Sequence, residues 1–282
     1  MKKKEKLTLL AVAINVLLFG LKIYAYIFSD SLAILSDSFN SLMDILSSIV
    51  IFFAVKVSSK KADSDHPFGH RSAEPIAGLI MAIFATVLGF EVIKDAVISI
   101  LRIRKIEITT VTLMIMTAAI ILKLVIFSLF NSYAKKINSP AIKASAIDYR
   151  NDIIVTFMVI LGNIIVYSGF NIVDGIIAIL VGGFIIYSGI RIGIENMGFL
   201  MGKRPPDEII DKLKDIALSV GGVKALNDVR AHYLGSYIQI EIHIEVDKNI
   251  STERSHDIAK EVQRKLLEND LVDFCFVHVD PV

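Results

Sequence analysis

The sequence predicts an α-helical membrane protein: six transmembrane helices, then a C-terminal α+β domain in the order αββαβ. Three observations carry that expectation. The 282 residues are 54% hydrophobic with a mean hydropathy of +0.62, too apolar for an ordinary soluble domain of this length. The apolar residues crowd into residues 7 to about 200, in runs long enough to cross a hydrocarbon core. From Pro205 onward the pattern changes to amphipathic and alternating segments typical of soluble protein.

The first run follows "MKKKEK" and covers residues 7–28. It is longer than a signal-peptide core and has no small-residue cleavage motif behind it, so it reads as a retained span. The other expected spans are residues 32–57, 73–101, 109–134, 141–168 and 174–200. In lipid each must be a helix, because a helix satisfies its own backbone groups. Pro140 suits the start of the fifth, and "YSGFN" forms a tight turn before the sixth. Basic links "MKKKEK", "KVSSKK…HR" and "KKINSPAIK" all fall on one side of a six-span chain, which the positive-inside rule makes cytoplasmic. Only "LRIRKIEI" (101–108) disagrees, so both termini are expected in the cytoplasm and the protein in the cell's inner membrane.

Beyond the expected domain boundary (residues 1–204 and 205–282), "PDEIIDKLKDIALSVGGV" reads as an amphipathic helix stopped by Gly221 and Gly222. "VKALNDVRAHYLG" and "SYIQIEIHIEVD" alternate across Gly235 as a hairpin would. "STERSHDIAKEVQRKLLEN" opens with capping residues, and "VDFCFVHVDP" is a last strand. Helices on one face of a small sheet follow. The net charge of +1 gives no reason to expect nucleic acid, and the one cysteine, Cys275, excludes an intramolecular disulfide or a cysteine-based zinc site.

The informative residues are polar ones at membrane depth. Asn40 and Asp44 in "FNSLMDILSS" lie four apart, one turn apart on one helix face. Asp148 and Asp152 in "AIDYRNDIIV" repeat that spacing in the fifth span. A carboxylate at the bilayer centre costs about 2.5–3.5 kcal/mol on insertion scales, so none should face lipid. Three carboxylates together repel unless a cation or protons neutralise them. Two helices meeting at these pairs would offer four oxygen ligands to one divalent cation, and protons would compete for the same oxygens. Lys22, Asn15 and Lys123 read as interhelical glue, interior pairs or snorkelling ends, and Glu91, Lys94 and Asp95 as a local set. Asp174 reads as a cap starting the sixth span, and Gly162, Gly182 and Gly183 as points of close helix approach.

On these residues the chain resembles the cation diffusion facilitator family along nearly its whole length. The resemblance implies a homodimeric, proton-coupled exporter of divalent transition metals with six spans and a metallochaperone-like cytoplasmic domain. It implies an intramembrane site at Asn40, Asp44, Asp148 and Asp152. "ADSDHPFGHRSAEPIAGL" resembles the family's Asp…His-x-x-x-His loop, with ligands Asp63, His66 and His70; spacing alone leaves Asp65 as a substitute for Asp63. In the tail, His243, His256, His278 and Asp280 match positions that bind metal in zinc-type members, and strand spacing puts His278 and Asp280 on one face. Another family ligand position holds Asn227, which leaves the pocket short of a ligand or served by another residue; His232 is near but does not match.

The donor set orders the metals. The four intramembrane residues offer only oxygen, whereas imidazole favours Zn²⁺. The Asn-x-x-x-Asp with Asp-x-x-x-Asp combination also resembles the manganese branch. The expected cargo is therefore Mn²⁺, then Fe²⁺, then Zn²⁺ or Co²⁺. No cofactor is expected beyond the transported metal; the partners are metal ions, protons, the bilayer and a second copy of the chain, with no nucleic acid. A metal-permeable channel would keep several weak sites along a pore, and a membrane enzyme would need a base or nucleophile that the sequence lacks. A membrane metal sensor would give no flux.

Overall fold

The computed structural model describes the backbone of residues 2–102, 106–137, 140–235 and 237–282; the side chains of residues 2–9, 11, 51, 52 and 133–147 lie outside that description. Among the Lys and Arg residues used to orient the chain, Arg104 and Lys105 lie outside the described residues, as do the side chains of Lys135 and Lys136.

Six long helices come first: α1 (Lys2–Ser29), α2 (Leu32–Ser58), α3 (Ala73–Arg102), α4 (Thr110–Ile137), α5 (Pro140–Tyr167) and α6 (Ile172–Leu200). All six are long and apolar enough to cross a membrane. They are followed by α7 (Asp207–Leu218), β1 (Ala225–Leu234), β2 (Tyr237–Val246), α8 (Thr252–Leu267) and β3 (Val272–Pro281). The helices expose Phe28, Phe53, Phe84, Phe90, Phe157 and many Ile and Leu side chains. That much exposed apolar surface suits lipid rather than water.

By packing, the chain divides into two compact units, residues 1–50 with 80–192 and residues 51–79 with 193–282. This differs from the compositional boundary at residue 204, because the ends of α2, α3 and α6 and the α2–α3 loop pack with the C-terminal residues.

In the first unit α4 packs along both α5 and α1. Two glycine expectations hold. A Cβ on Gly182 of α6 would lie 3.1 Å from the Gly89 carbonyl oxygen of α3, and one on Gly162 of α5 would lie 2.8 Å from Ile177 of α6. Gly183 has no heavy atom near its would-be Cβ, so no close approach within the chain requires it. Asp30 turns the chain between α1 and α2 at φ 56°, a left-handed conformation that Asp tolerates. Asp174 has a different part from the one expected. It lies in the first turn of α6, but its carboxylate accepts from the Leu32 N–H (2.7 Å), the Ala33 N–H (3.3 Å) and the Ser31 hydroxyl. It therefore caps α2, whose first-turn N–H groups have no intrahelical acceptor.

The second unit contains a three-stranded sheet of order β1-β2-β3, with β1–β2 antiparallel and β2–β3 parallel. The parallel pair needs a crossover, which α8 supplies. Alternation along β2 buries Ile238, Ile240, Ile242, Ile244 and Val246 against Leu213, Ala217, Ile258, Val262 and Leu266 of α7 and α8. Gln239, Glu241, His243 and Glu245 therefore point to the opposite face. The Ser251 hydroxyl caps α8 by accepting from the Arg254 N–H at 3.1 Å. Burial pushes the Cys275 thiol up to about 12, so it stays protonated at neutral pH.

The Asp174 cap generates a prediction. Asp174→Ala should lower stability in detergent by about 1–2 kcal/mol, and Asp174→Asn by less. Thermal unfolding of the full chain measures both.

Candidate metal centres

Helix α2 presents Asp37, Asn40, Ser41 and Asp44 at spacings of three and four, so all four share one face. Helix α5 presents Asp148, Asp152 and Thr156 in the same way. The two helices meet where the Asn40 Nδ2 donates to Asp152 Oδ1 at 2.7 Å. The other Asp152 oxygen, Oδ2, lies 3.4 Å from the Lys123 Nζ of α4. Asp152 is buried, and Asp44 holds a buried oxygen, Oδ2, with no hydrogen-bond partner among the described residues. Asp148, one turn nearer the start of α5, is exposed. Among the described residues, the intramembrane carboxylates do not form a group of three or more ligands within 4.8 Å of one another. The arrangement thus joins Asn40 to Asp152, offers an unpartnered Asp44 oxygen, and leaves Asp148 apart.

Below this point lies a carboxylate that the reading of the sequence passed over. Asp37 is fully buried and forms an ion pair with Lys22 at 2.8 Å. Lys22 also donates to the Ser41 hydroxyl (2.9 Å) and the Asp37 carbonyl (3.2 Å), and Thr156 donates to Asp37 Oδ1 (3.1 Å). Lys22 and Lys123 are therefore interior groups, at 0% and 1% exposure, rather than snorkelling ends. The signal for Asp37 was present: it stands three residues before Asn40 on the same helix face.

A second cluster forms in the α2–α3 loop, within one unit. The His66 Nδ1 lies 3.3 Å from Asp63 Oδ1, the His70 Nε2 lies 3.4 Å from Asp63 Oδ2, and the two ring centroids are 4.3 Å apart at a tilt of 37°. Ligand atoms of all three lie within 4.8 Å of one another. Asp63 rather than Asp65 joins the histidines, because the backbone N–H groups of Asp65 (3.1 Å) and His66 (2.7 Å) fold onto Asp63 Oδ1 and turn the loop around it. The His66 N–H, and then the imidazoles, hold the Asp63 carboxyl below its ordinary range. With a depressed value, its contribution to loop order is present above the ordinary carboxylate range and is lost only as pH falls through the lowered value.

The loop is fastened to the sheet by its next residue. Arg71 Nη2 donates to Asp273 Oδ1 at 2.7 Å, and its guanidinium lies 4.1 Å over the Tyr237 ring. Gly235, at φ 63°, sits against the Arg71 carbonyl oxygen, where a Cβ would overlap it.

The third cluster lies on the sheet face away from the helices. His243 and His278 are paired across β2 and β3, with ring centroids 4.6 Å apart. Asp280 Oδ1 is 3.3 Å from the His278 Nε2, and Oδ2 is 3.6 Å from the His243 Nδ1. Ligand atoms of His243, His278 and Asp280 fall within 4.8 Å of one another. His256 is not part of this group. It stands exposed on α8, which packs on the opposite, isoleucine-lined face of the sheet. Asn227 does reach the cluster, its Nδ2 donating to Asp280 Oδ2 at 3.2 Å. Glu241, two residues before His243 and on the same face, approaches its Nε2 at 3.4 Å. It was legible as the alternate position of the strand.

Six apolar helices with acid and amide groups facing inward, followed by a sheet with a histidine–carboxylate cluster, match two family descriptions end to end. Residues 8–201 match the cation efflux transmembrane domain, and residues 205–282 match the cytoplasmic domain of cation efflux proteins. The chain belongs to the cation efflux, or cation diffusion facilitator, family. It is a multi-pass membrane protein with a C-terminal cytoplasmic domain, and the family's work is metal cation efflux. A transporter of Methanocaldococcus jannaschii, MJ0449, is 32% identical over 100% of both chains. The manganese efflux system protein MneS of Bacillus subtilis is 29% identical, covering 100% of this chain and 97% of its own. MneP of the same organism, also a manganese efflux system protein, is 26% identical over 98% of this chain and 96% of its own.

The two aqueous clusters make separable predictions. His278→Ala should weaken metal binding at the sheet about tenfold or more and leave the loop cluster intact; His70→Ala should do the converse. Equilibrium Mn²⁺ or Zn²⁺ titration of the full chain, with each variant and both together, checks this.

Proposed function

We propose that this protein exports divalent transition metal ions, Mn²⁺ foremost, in exchange for protons, by alternating access around Asn40, Asp44, Asp148 and Asp152. The observation that carries the reading is the meeting of Asn40 and Asp152 at 2.7 Å beside the unpartnered Asp44 oxygen. Interior carboxylates in a bilayer are costly unless a cation or protons neutralise them. All four donors are oxygens, which suit Mn²⁺ and harder ions better than softer sites built on imidazole. Two relatives that align over nearly the whole chain carry manganese efflux in their names. Fe²⁺ follows in the order of preference, then Zn²⁺ and Co²⁺.

In the inward-facing state the metal loads onto ionised Asp44 and Asp152, with Asn40 turning its amide so that the carbonyl oxygen faces the ion. Asp148 joins from the next turn of α5 when the helices shift. In the outward-facing state protons return to the carboxylates and the metal leaves. The protein works as a homodimer in the inner membrane with both termini in the cytoplasm. Metal bound at His243, His278 and Asp280 biases the paired cytoplasmic domains, and the Asp63, His66 and His70 cluster lies next to Arg71, which ties that loop to the sheet. A ligand shifts such an equilibrium only through its differential affinity for the two states.

Reconstituted protein should carry ⁵⁴Mn²⁺ into proteoliposomes in response to a pH gradient, with saturable kinetics. Asp44→Ala should reduce that flux at least about a hundredfold, equivalent to ~2.7 kcal/mol, while the protein remains folded. Asp148→His should raise Zn²⁺ flux relative to Mn²⁺. Zinc flux without manganese flux in the wild type would overturn the choice of metal. Because Zn²⁺ outcompetes Mn²⁺ at almost any such site, flux rather than affinity decides.

A further inference from the structure

Lys123 touches a ligand of the transport site, yet the transport reading gives it no part. It is 1% exposed, in an apolar bundle, and carries a charge on a four-carbon stem. The neighbouring buried lysine is fully engaged: Lys22 meets the Asp37 carboxylate, the Ser41 hydroxyl and the Asp37 carbonyl. Lys123 is not. Its ammonium makes no hydrogen bond among the described residues, and its single ion pair is the loose 3.4 Å approach to Asp152 Oδ2. A lysine serving only as glue would be expected to have the partners that Lys22 has.

The geometry around Asp152 gives that loose contact a meaning. Both oxygens of Asp152 have a partner, Oδ1 the Asn40 amide at 2.7 Å and Oδ2 the Lys123 ammonium at 3.4 Å. A dication cannot take Asp152 while a fixed positive charge sits on the same oxygen. Two cations 3–4 Å apart in a low-dielectric interior repel strongly. Asp37 already holds Lys22 at 2.8 Å, so the displaced ammonium shifts within the shared field of the nearby carboxylates instead of pairing with Asp37. Asp37 and Asp44 both attract Lys123 electrostatically.

We propose that Lys123 is a tethered counter-cation of the transport site, holding Asp152 in the metal-free state, giving way to the arriving metal, and returning to help expel it. The inference rests on the reading of Asp44 and Asp152 as transport ligands. No bond is made or broken; one ion exchanges for another on a carboxylate. The consequence is an affinity held low enough for release, which a carrier needs and a storage site does not. The exchange also keeps Asp152 neutralised during the return of the empty carrier, when a bare carboxylate in the bundle would be costly.

The test measures Mn²⁺ binding to the full chain carrying H70A and H278A, which weaken the loop and sheet clusters so that the intramembrane site is read separately. In that background K123M should bind Mn²⁺ at least about tenfold more tightly than Lys123. Its ⁵⁴Mn²⁺ turnover at saturating metal should fall, because release slows. K123R, which retains the charge, should keep the lower affinity. If K123M does not fold, K123Q replaces it with the same expectation. Unchanged or weaker binding in the neutral variant, with retained turnover, would show that Lys123 is structural and overturn the proposal. D44A separates the two readings. If D44A abolishes binding and the neutral Lys123 variant fails to tighten it, only the Lys123 proposal falls; if D44A binds Mn²⁺ normally, the transport site and the proposal fall together.

Discussion

Charge neutralisation inside an apolar helix bundle is the constraint on which the rest of the structure depends. Water is not there to solvate a carboxylate, so each buried one must find a cation, a donor or a proton. Asp37 finds Lys22, Asp152 finds Lys123 and Asn40, and Asp174 finds the N-terminus of α2. Lys22–Asp37 and Lys123–Asp152 join consecutive helices, whereas Asn40–Asp152 and the Asp174 cap join helices more than a hundred residues apart. Removing one partner of a buried pair is expected to cost about 3–5 kcal/mol, because the other charge is left stranded. The proposed transport site lies where that pairing is incomplete. Asp37 and Asp44 each keep a buried oxygen with no hydrogen-bond partner among the described residues, and Asp44 has no ion pair there either.

The C-terminal domain works by the opposite economy. Its isoleucine face supplies an ordinary dry core, with Ile238, Ile240, Ile242 and Ile244 fully or almost fully buried. That leaves the other face of a ten-residue strand free for chemistry. The period of two that buries the isoleucines sets Glu241 and His243 on the outer face, and the parallel register brings His278 opposite His243. The same packing that stabilises the sheet thus positions its histidine–carboxylate cluster. Arg71 connects this face of the molecule's chemistry to the loop cluster, through Asp273 and Tyr237, within a single packed unit.

Much of this was legible in the sequence, because the strongest signals are physical ones. Apolar runs bounded by charge set the six spans to within a few residues at most boundaries, and alternation across Gly235 announced the hairpin. The recurring four-residue spacing marked Asn40, Asp44, Asp148 and Asp152 as candidates. What escaped was the information that depends on pairing across elements. Asp37, in a serine-rich stretch, gave no sign of its partner, because Lys22 lies on another helix. Asp174 looked like a cap for its own helix, since sequence proximity favours that reading, but its carboxylate points to α2. His256 shares a residue type with His243 and His278, yet it is carried by a helix on the opposite face of the sheet. The choice between Asp63 and Asp65 turned on two backbone N–H groups, which spacing cannot register. Arg71, adjacent to a histidine in a basic loop, gave no sign of its aromatic and acidic partners.

The most direct measurement is the position of manganese in the metal-loaded protein, from anomalous scattering at the manganese edge. An ion between α2 and α5, liganded by Asp44 and Asp152 with the Lys123 ammonium moved off Asp152, is the predicted result. Manganese found only at the loop and sheet histidines, with the Asn40–Asp152–Lys123 contacts unchanged at saturating metal, would contradict it.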